Sequence, residues 1–167
     1  MSQDHWADQF NSAKPKSSSA YMEPGNFLLR IDNIERGKNR KGIGNFKVEG
    51  EVVHCFDGTN TVGKSVCDLH SESSDFFFNE VKTLMADIFG TTVDKITFDH
   101  LLKAASPEQP LKGMVVEYSA WKKDPEKPFV KKKCKGPITK SEFEAKASEE
   151  NYERYVDSCR FKKEPEA

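Results

Sequence analysis

The chain has 167 residues, enough for one domain with a sizeable core and tails. Charged residues make up 32% and aromatics 11%, a polar chain but too aromatic to be disordered throughout. The formal net charge is −1, so overall charge names no partner, and no stretch approaches the roughly 18–20 apolar residues of a membrane-spanning helix.

The first residues, Met1 to Trp6, carry neither a basic region nor an apolar run, which argues against a secretory signal. Cys55, Cys67, Cys134 and Cys159 are widely spaced with no CxxC pair, so the expectation is free thiols in a reducing cytoplasm. Residues 1–20 read as a flexible arm, with Ser, Lys, Pro and Ala filling Ser12 to Ala20.

Order is expected from the Pro24-Gly25 turn, which precedes a first strand at Phe27–Ile31. The polar run 35–41 then reads as a loop. A second strand spans Asn45 to about Phe56, with Phe46, Val48 and Val52 on one face and Lys47, Glu49 and Glu51 on the other. Asp57-Gly58 signals a turn, and a third strand follows from Lys64 to about His70 with Val66 buried.

The strongest helix comes next. Ser73, Ser74 and Asp75 offer caps; Phe77, Val81, Leu84, Met85 and Ile88 recur on one face, and Gly90 ends it. A weaker helical turn covers Phe98 to Ala105. A fourth strand, Met114 to Trp121, and a fifth, Phe129 to Lys135, flank a lysine-rich connection. Thr139 and Glu142 form a capping box that opens a polar C-terminal helix.

Three strands, a helix, then two strands is not the alternating order of a parallel sheet. It predicts a mainly β fold, a five-stranded OB-fold-like Greek-key barrel over residues 21–138, with a polar helical extension and tail at 139–167. In that fold the connections between strands one and two and between strands four and five line an oligonucleotide site.

Both connections are basic. Residues 35–41 hold Arg36, Lys38, Arg40 and Lys41 for a local charge of +3. Residues 122–135 hold Lys122, Lys123, Lys127, Lys131, Lys132, Lys133 and Lys135 for +5, which leaves −9 for the remainder of the chain. Such division is the footprint of a polyanion binder; the bland alternative is that lysines merely solubilise loops and guard a strand edge. Alternation places Trp121 and Phe129 beside the lysines at either end of the second connection. There they either stack on unpaired bases or close the barrel end as core.

Gly58, Gly63, Lys64 and Ser65 satisfy the phosphate-loop pattern G-x-x-x-x-G-K-[ST]. That motif needs a helix directly after it, whereas Val66 to Ser71 reads as a strand, so Asp57 to Gly63 is expected to be a hairpin loop. His54, Cys55, Cys67 and His70 could be gathered around zinc, but adjacent strand residues point to opposite faces, so buried cysteines and surface histidines are expected. No cofactor, metal or catalytic group is assigned.

The layout from Tyr21 to about Pro137 resembles the phage-encoded OB-fold single-stranded DNA-binding proteins. The shared features are Glu23 to Ile31 entering strand one, a basic stretch with Gly42, and Phe46 to Val52 in strand two. Gly63-Lys64 opening strand three, a helix ending at Phe89-Gly90, and Gly113 to Tyr118 in strand four complete the set. The resemblance implies a sequence-independent, non-catalytic protein that coats single-stranded DNA in phage replication, recombination or repair, in the host cytoplasm. The tail departs from the resemblance, since Phe161 to Ala167 mixes signs where bacterial single-strand binders carry an acidic tip; replication or recombination proteins are the partners such a tail would meet. The competing expectations are a nucleotide-binding enzyme that uses residues 58–65, and a virion or host-interaction protein on the same scaffold.

Overall fold

The structure is a computed structural model that describes residues 19–165. The expected arm thus lies mostly outside the described residues, and its last part is not an arm: Ala20–Tyr21 forms a short strand, β1. It is followed by β2 (Gly25–Lys38), β3 (Gly44–Gly58), β4 (Ser65–Ser71), α1 (Phe77–Phe89), α2 (Phe98–Ala104), β5 (Val115–Trp121), β6 (Lys131–Pro137), α3 (Lys140–Lys146) and α4 (Glu149–Tyr155). The fold is mainly β, with one mixed six-stranded sheet of order β1-β4-β3-β2-β5-β6. All pairs are antiparallel except β1 with β4.

The sheet is open, yet it is rolled. In a flat sheet β4 and β6, four positions apart, would be separated by roughly 19 Å. Instead Lys132 Nζ of β6 lies 3.2 Å from the Asp68 carboxylate of β4. Register shifts in the β2–β3 ladder at Asn26/Phe27, Leu28/Leu29 and Ile31/Asn33 bend these long strands, as bulges do. Side chains thus bridge the seam between β4 and β6, where no backbone pairing is present among the described residues.

The concave side encloses the main core, in which Phe27, Leu29, Phe46, Val48, Val66, Val116 and Tyr118 are buried. Phe27 and Tyr118 stack with ring centroids 5.9 Å apart. α1 closes one end with Val81, Leu84, Met85 and Ile88, the face its i, i+4 spacing predicts. Its C-cap Gly90 is left-handed, and Thr91 N–H donates to the Ala86 carbonyl, which satisfies an otherwise orphaned helix carbonyl.

The C-terminal part departs from expectation. It is two short helices rather than one polar helix, and it packs against the sheet's convex side. Phe143 and Tyr155 join Leu28, Val53, Val115 and Ile138 in a second buried cluster. The Thr139–Glu142 capping box is formed. Among the described residues no helix is long and apolar enough to cross a membrane.

Candidate nucleic-acid interface

β5 and β6 form a hairpin in which Trp121 faces Lys131, Ala120 faces Lys132 and Ser119 faces Lys133. The expected fifth strand begins two residues late. β5 ends at Trp121, so Phe129 has no strand to pair with, and Pro128 has no N–H to donate and biases Lys127 away from the helical region. Phe129 therefore sits in the loop, 76% exposed, and Trp121 is 43% exposed at the strand end. Neither ring closes the core.

The loop holds itself in shape. Asp124 Oδ1 accepts from Glu126 N–H at 3.0 Å, and Lys127 N–H donates to the Asp124 carbonyl at 3.1 Å. Of the lysines expected here, Lys122, Lys123, Lys127 and Lys131 are exposed and form no ion pair among the described residues. Lys133 and Lys135 are exposed but ion-paired within the chain: Lys133 Nζ lies 2.6 Å from Asp87, and Lys135 Nζ 3.5 Å from Glu117. Burial opposes ionisation of Glu117, but Lys146 and Lys135 outweigh it and hold its carboxyl below the usual range.

The first basic segment is not a loop as expected. Glu35 to Lys38 continue β2, paired with Lys47 to Gly44 of β3, and only 39–43 form the turn. Beyond Arg30 β2 has no β5 partner, so it becomes the edge strand beside β3, which stays paired with β4 through Asn45, and an edge strand needs little of the apolar alternation that marks a covered one. Asn39 organises the turn: its Oδ1 accepts from Lys41 N–H and Ile43 N–H at 2.9 and 3.0 Å. Lys38, Arg40 and Lys41 are exposed without ion pairs among the described residues, while the Arg36 guanidinium lies 5.6 Å from the Phe98 ring centroid.

The two basic elements stand at opposite ends of β2. β5 runs antiparallel to β2, with Ala120 opposite Gly25, so the 122–130 loop leaves from the start of β2 and the 39–43 turn caps its end. The fourteen residues of β2 lie between them, roughly 43 Å of contour from first to last at about 3.3 Å per step.

The phosphate-loop pattern takes a different shape. Gly58 ends β3 and Ser65 begins β4, so a strand stands where the motif requires a helix N-terminus. Gly63 N–H donates to the Val52 carbonyl and Lys64 N–H to the Thr61 carbonyl, which turns those donors inward. Buried Asn60 pins the turn by accepting from Glu23 N–H at 2.9 Å and donating to the Glu23 carbonyl at 2.6 Å. At the foot of this turn Gly25 and Gly58 adopt φ of +138° and +90°. A Cβ at either would lie 2.3 or 2.2 Å from the other strand's carbonyl, so only glycine fits.

The seam carries a polar cluster absent from the sequence expectations. The carboxylate of Asp68, 2% exposed, accepts from the Tyr118 hydroxyl at 3.0 Å and is flanked by Lys132 Nζ and by His70 Nε2 at 2.9 Å. His70 Nδ1 in turn lies 3.0 Å from Glu80 of α1. Burial disfavours charge on both Asp68 and His70. The surrounding partners prevail, so Asp68 is held below the usual carboxylate range and His70 is raised above that of free imidazole. His70 is therefore not the surface histidine expected, and a buried aspartate in β4 gave no periodic signal. Among the described residues no group of three or more His, Cys, Asp or Glu is arranged to hold a metal ion. The four cysteines are free, and burial pushes the Cys134 thiol up to about 12.

No protein-family model matches the chain, and no curated protein matches it by sequence.

Proposed function

We propose that this protein is a non-catalytic, sequence-independent binder of single-stranded DNA. The observation that carries the reading is the β5–β6 hairpin, where two exposed aromatic rings, Trp121 and Phe129, stand among four exposed lysines that form no ion pair among the described residues: Lys122, Lys123, Lys127 and Lys131. An aromatic face accepts any unpaired base, and each stacked base contributes roughly 1–3 kcal/mol. The lysines meet the phosphates between them. Duplex DNA hides its base faces, so this combination favours single strands.

The fold supports the same reading. We read the ladder β4-β3-β2-β5-β6, rolled so that Asp68 and Lys132 meet across its seam, as an open relative of an OB-type Greek-key barrel, with side-chain contacts in place of its last strand pair. In that architecture the β2–β3 and β5–β6 connections flank the oligonucleotide. A role in phage DNA replication, recombination or repair follows from the resemblance in layout and is part of the proposal. The C-terminal helices are packed as structure, and so is the chain after α4, where Arg160 and Lys162 bridge to Met114 and Thr139 and Phe161 packs on the second cluster, so a partner protein would meet a folded surface there.

The test is a salt titration of binding to oligo-dT and to duplex. Four lysines that each release a counterion predict a slope of about −3 in log affinity against log salt for the single strand. Replacing Lys122, Lys123, Lys127 and Lys131 by Gln is expected to flatten it. Duplex binding as tight as single-strand binding, or an affinity indifferent to salt, would contradict the proposal.

A further inference from the structure

The helical layer leaves two aromatic rings in the open. Phe78 on α1 is 73% exposed and Phe98 at the start of α2 is 62% exposed. Their rings stand between two adjoining hollows of about 430 and 300 Å³, and both residues line each hollow. Phe46, Phe77 and Leu101 form the apolar lining of the first, with Arg36 and Lys38 on its rim. Val81, Met85 and Ile96 line the second, with Lys82 beside them.

This groove adjoins the basic β2–β3 hairpin. Arg36 lies over the Phe98 ring, and Lys38, Arg40 and Lys41 follow within five residues, exposed and without ion pairs among the described residues. The acid on the rim, Glu72, is engaged: its Oε2 accepts from Gly44 N–H at 3.0 Å. The combination of open aromatic faces with cations thus occurs twice, once at each end of β2. At this second end the aromatics come from helices 32 to 62 residues away in sequence from Arg36 to Phe46.

We infer that this groove is a second subsite for single-stranded nucleic acid. Unpaired bases stack on Phe78 and Phe98 while Arg36, Lys38, Arg40 and Lys41 take the phosphates. A strand bound to both subsites runs between the two ends of β2. The inference rests on the single-strand reading of the β5–β6 hairpin and adds to it a division of the site into two parts. Four cations within six residues against a single engaged acid suit a polyphosphate, and flat exposed rings suit bases of any sequence.

Oligo-dT of about 5 and about 16 nucleotides, the range of site sizes for one such fold, separates the parts. With the full-length chain, the longer strand is expected to gain affinity over the shorter. The double variant Phe78→Ala/Phe98→Ala loses about 10-fold or more of that gain and keeps the short strand's affinity, with an unchanged thermal midpoint. A 5-iodouracil-substituted 16-mer is expected to crosslink to Phe78 or Phe98 as well as to Trp121. If the double variant binds both lengths as the wild type does, the second subsite is overturned and the β5–β6 site stands. If the wild type binds neither length, the single-strand reading itself fails. Self-association of the wild type that the double variant abolishes, with dT affinity unchanged, would assign the groove to a second copy and also overturn the inference.

Discussion

At the scale of the residue, Asp68 does the most unusual work. A buried carboxylate is stable only where charge and hydrogen-bond donors surround it. Here Tyr118, His70 and Lys132 supply both, from β5, β4 and β6. The cluster substitutes for the missing ladder between β4 and β6 and extends through His70 to Glu80 on α1. Its pH dependence has a definite sign. His70 is raised above its unfolded value of about 6.5, so its contribution is complete below that pH and is lost as pH rises through the raised value. Asp68 is lowered, so its contribution is present above about 4 and is lost as pH falls through the depressed value. Urea unfolding of the wild type and His70→Gln is therefore expected to show a stability gap near pH 6 that narrows as pH rises toward 9. A gap independent of pH across that range would mean His70 does not carry the charge assigned to it.

At the scale of the element, the C-terminal helices illustrate how a polar segment becomes structural. α3 and α4 are each seven residues long, too short to be stable alone, and their capping side chains add only about 1 kcal/mol each. Burial of Phe143 and Tyr155 against Leu28, Val53 and Val115 supplies the rest. Phe143→Ala is expected to cost about 3–5 kcal/mol in chemical denaturation, as for a fully buried aromatic. A loss below 1 kcal/mol would show that the extension is not docked. The same elements mark what was readable in the sequence. β3 and α1 were legible because each has one covered face, which writes a period of two or of 3.6 into the chain. The extension of β2 was not, because beyond Arg30 β2 is an edge strand, paired on one side only, and tolerates Glu35 to Lys38. Phe143 and Tyr155 were hidden by their charged neighbours. Asp68 and the Phe78–Phe98 pair gave no signal because, His70 apart, their partners lie 20 to 64 residues away and only the rolled sheet brings them together.

At the scale of the whole molecule, the charge division read from the sequence survives in altered form. The first basic run is the end of an edge strand with a short turn. Part of the second is spent on internal pairs with Asp68, Asp87 and Glu117. What remains for a ligand is a set of cations and open rings at each end of β2, and Trp121 lies within one of them. The chain has two tryptophans, Trp6 and Trp121, so Trp6→Phe leaves Trp121 as the single indole. Its fluorescence during titration with oligo-dT is the most direct measure of the central claim. Single-strand binding at Trp121 predicts saturable quenching that weakens as salt is added and that matched duplex fails to reproduce. No change in emission at saturating single strand, or equal quenching by duplex, would contradict it.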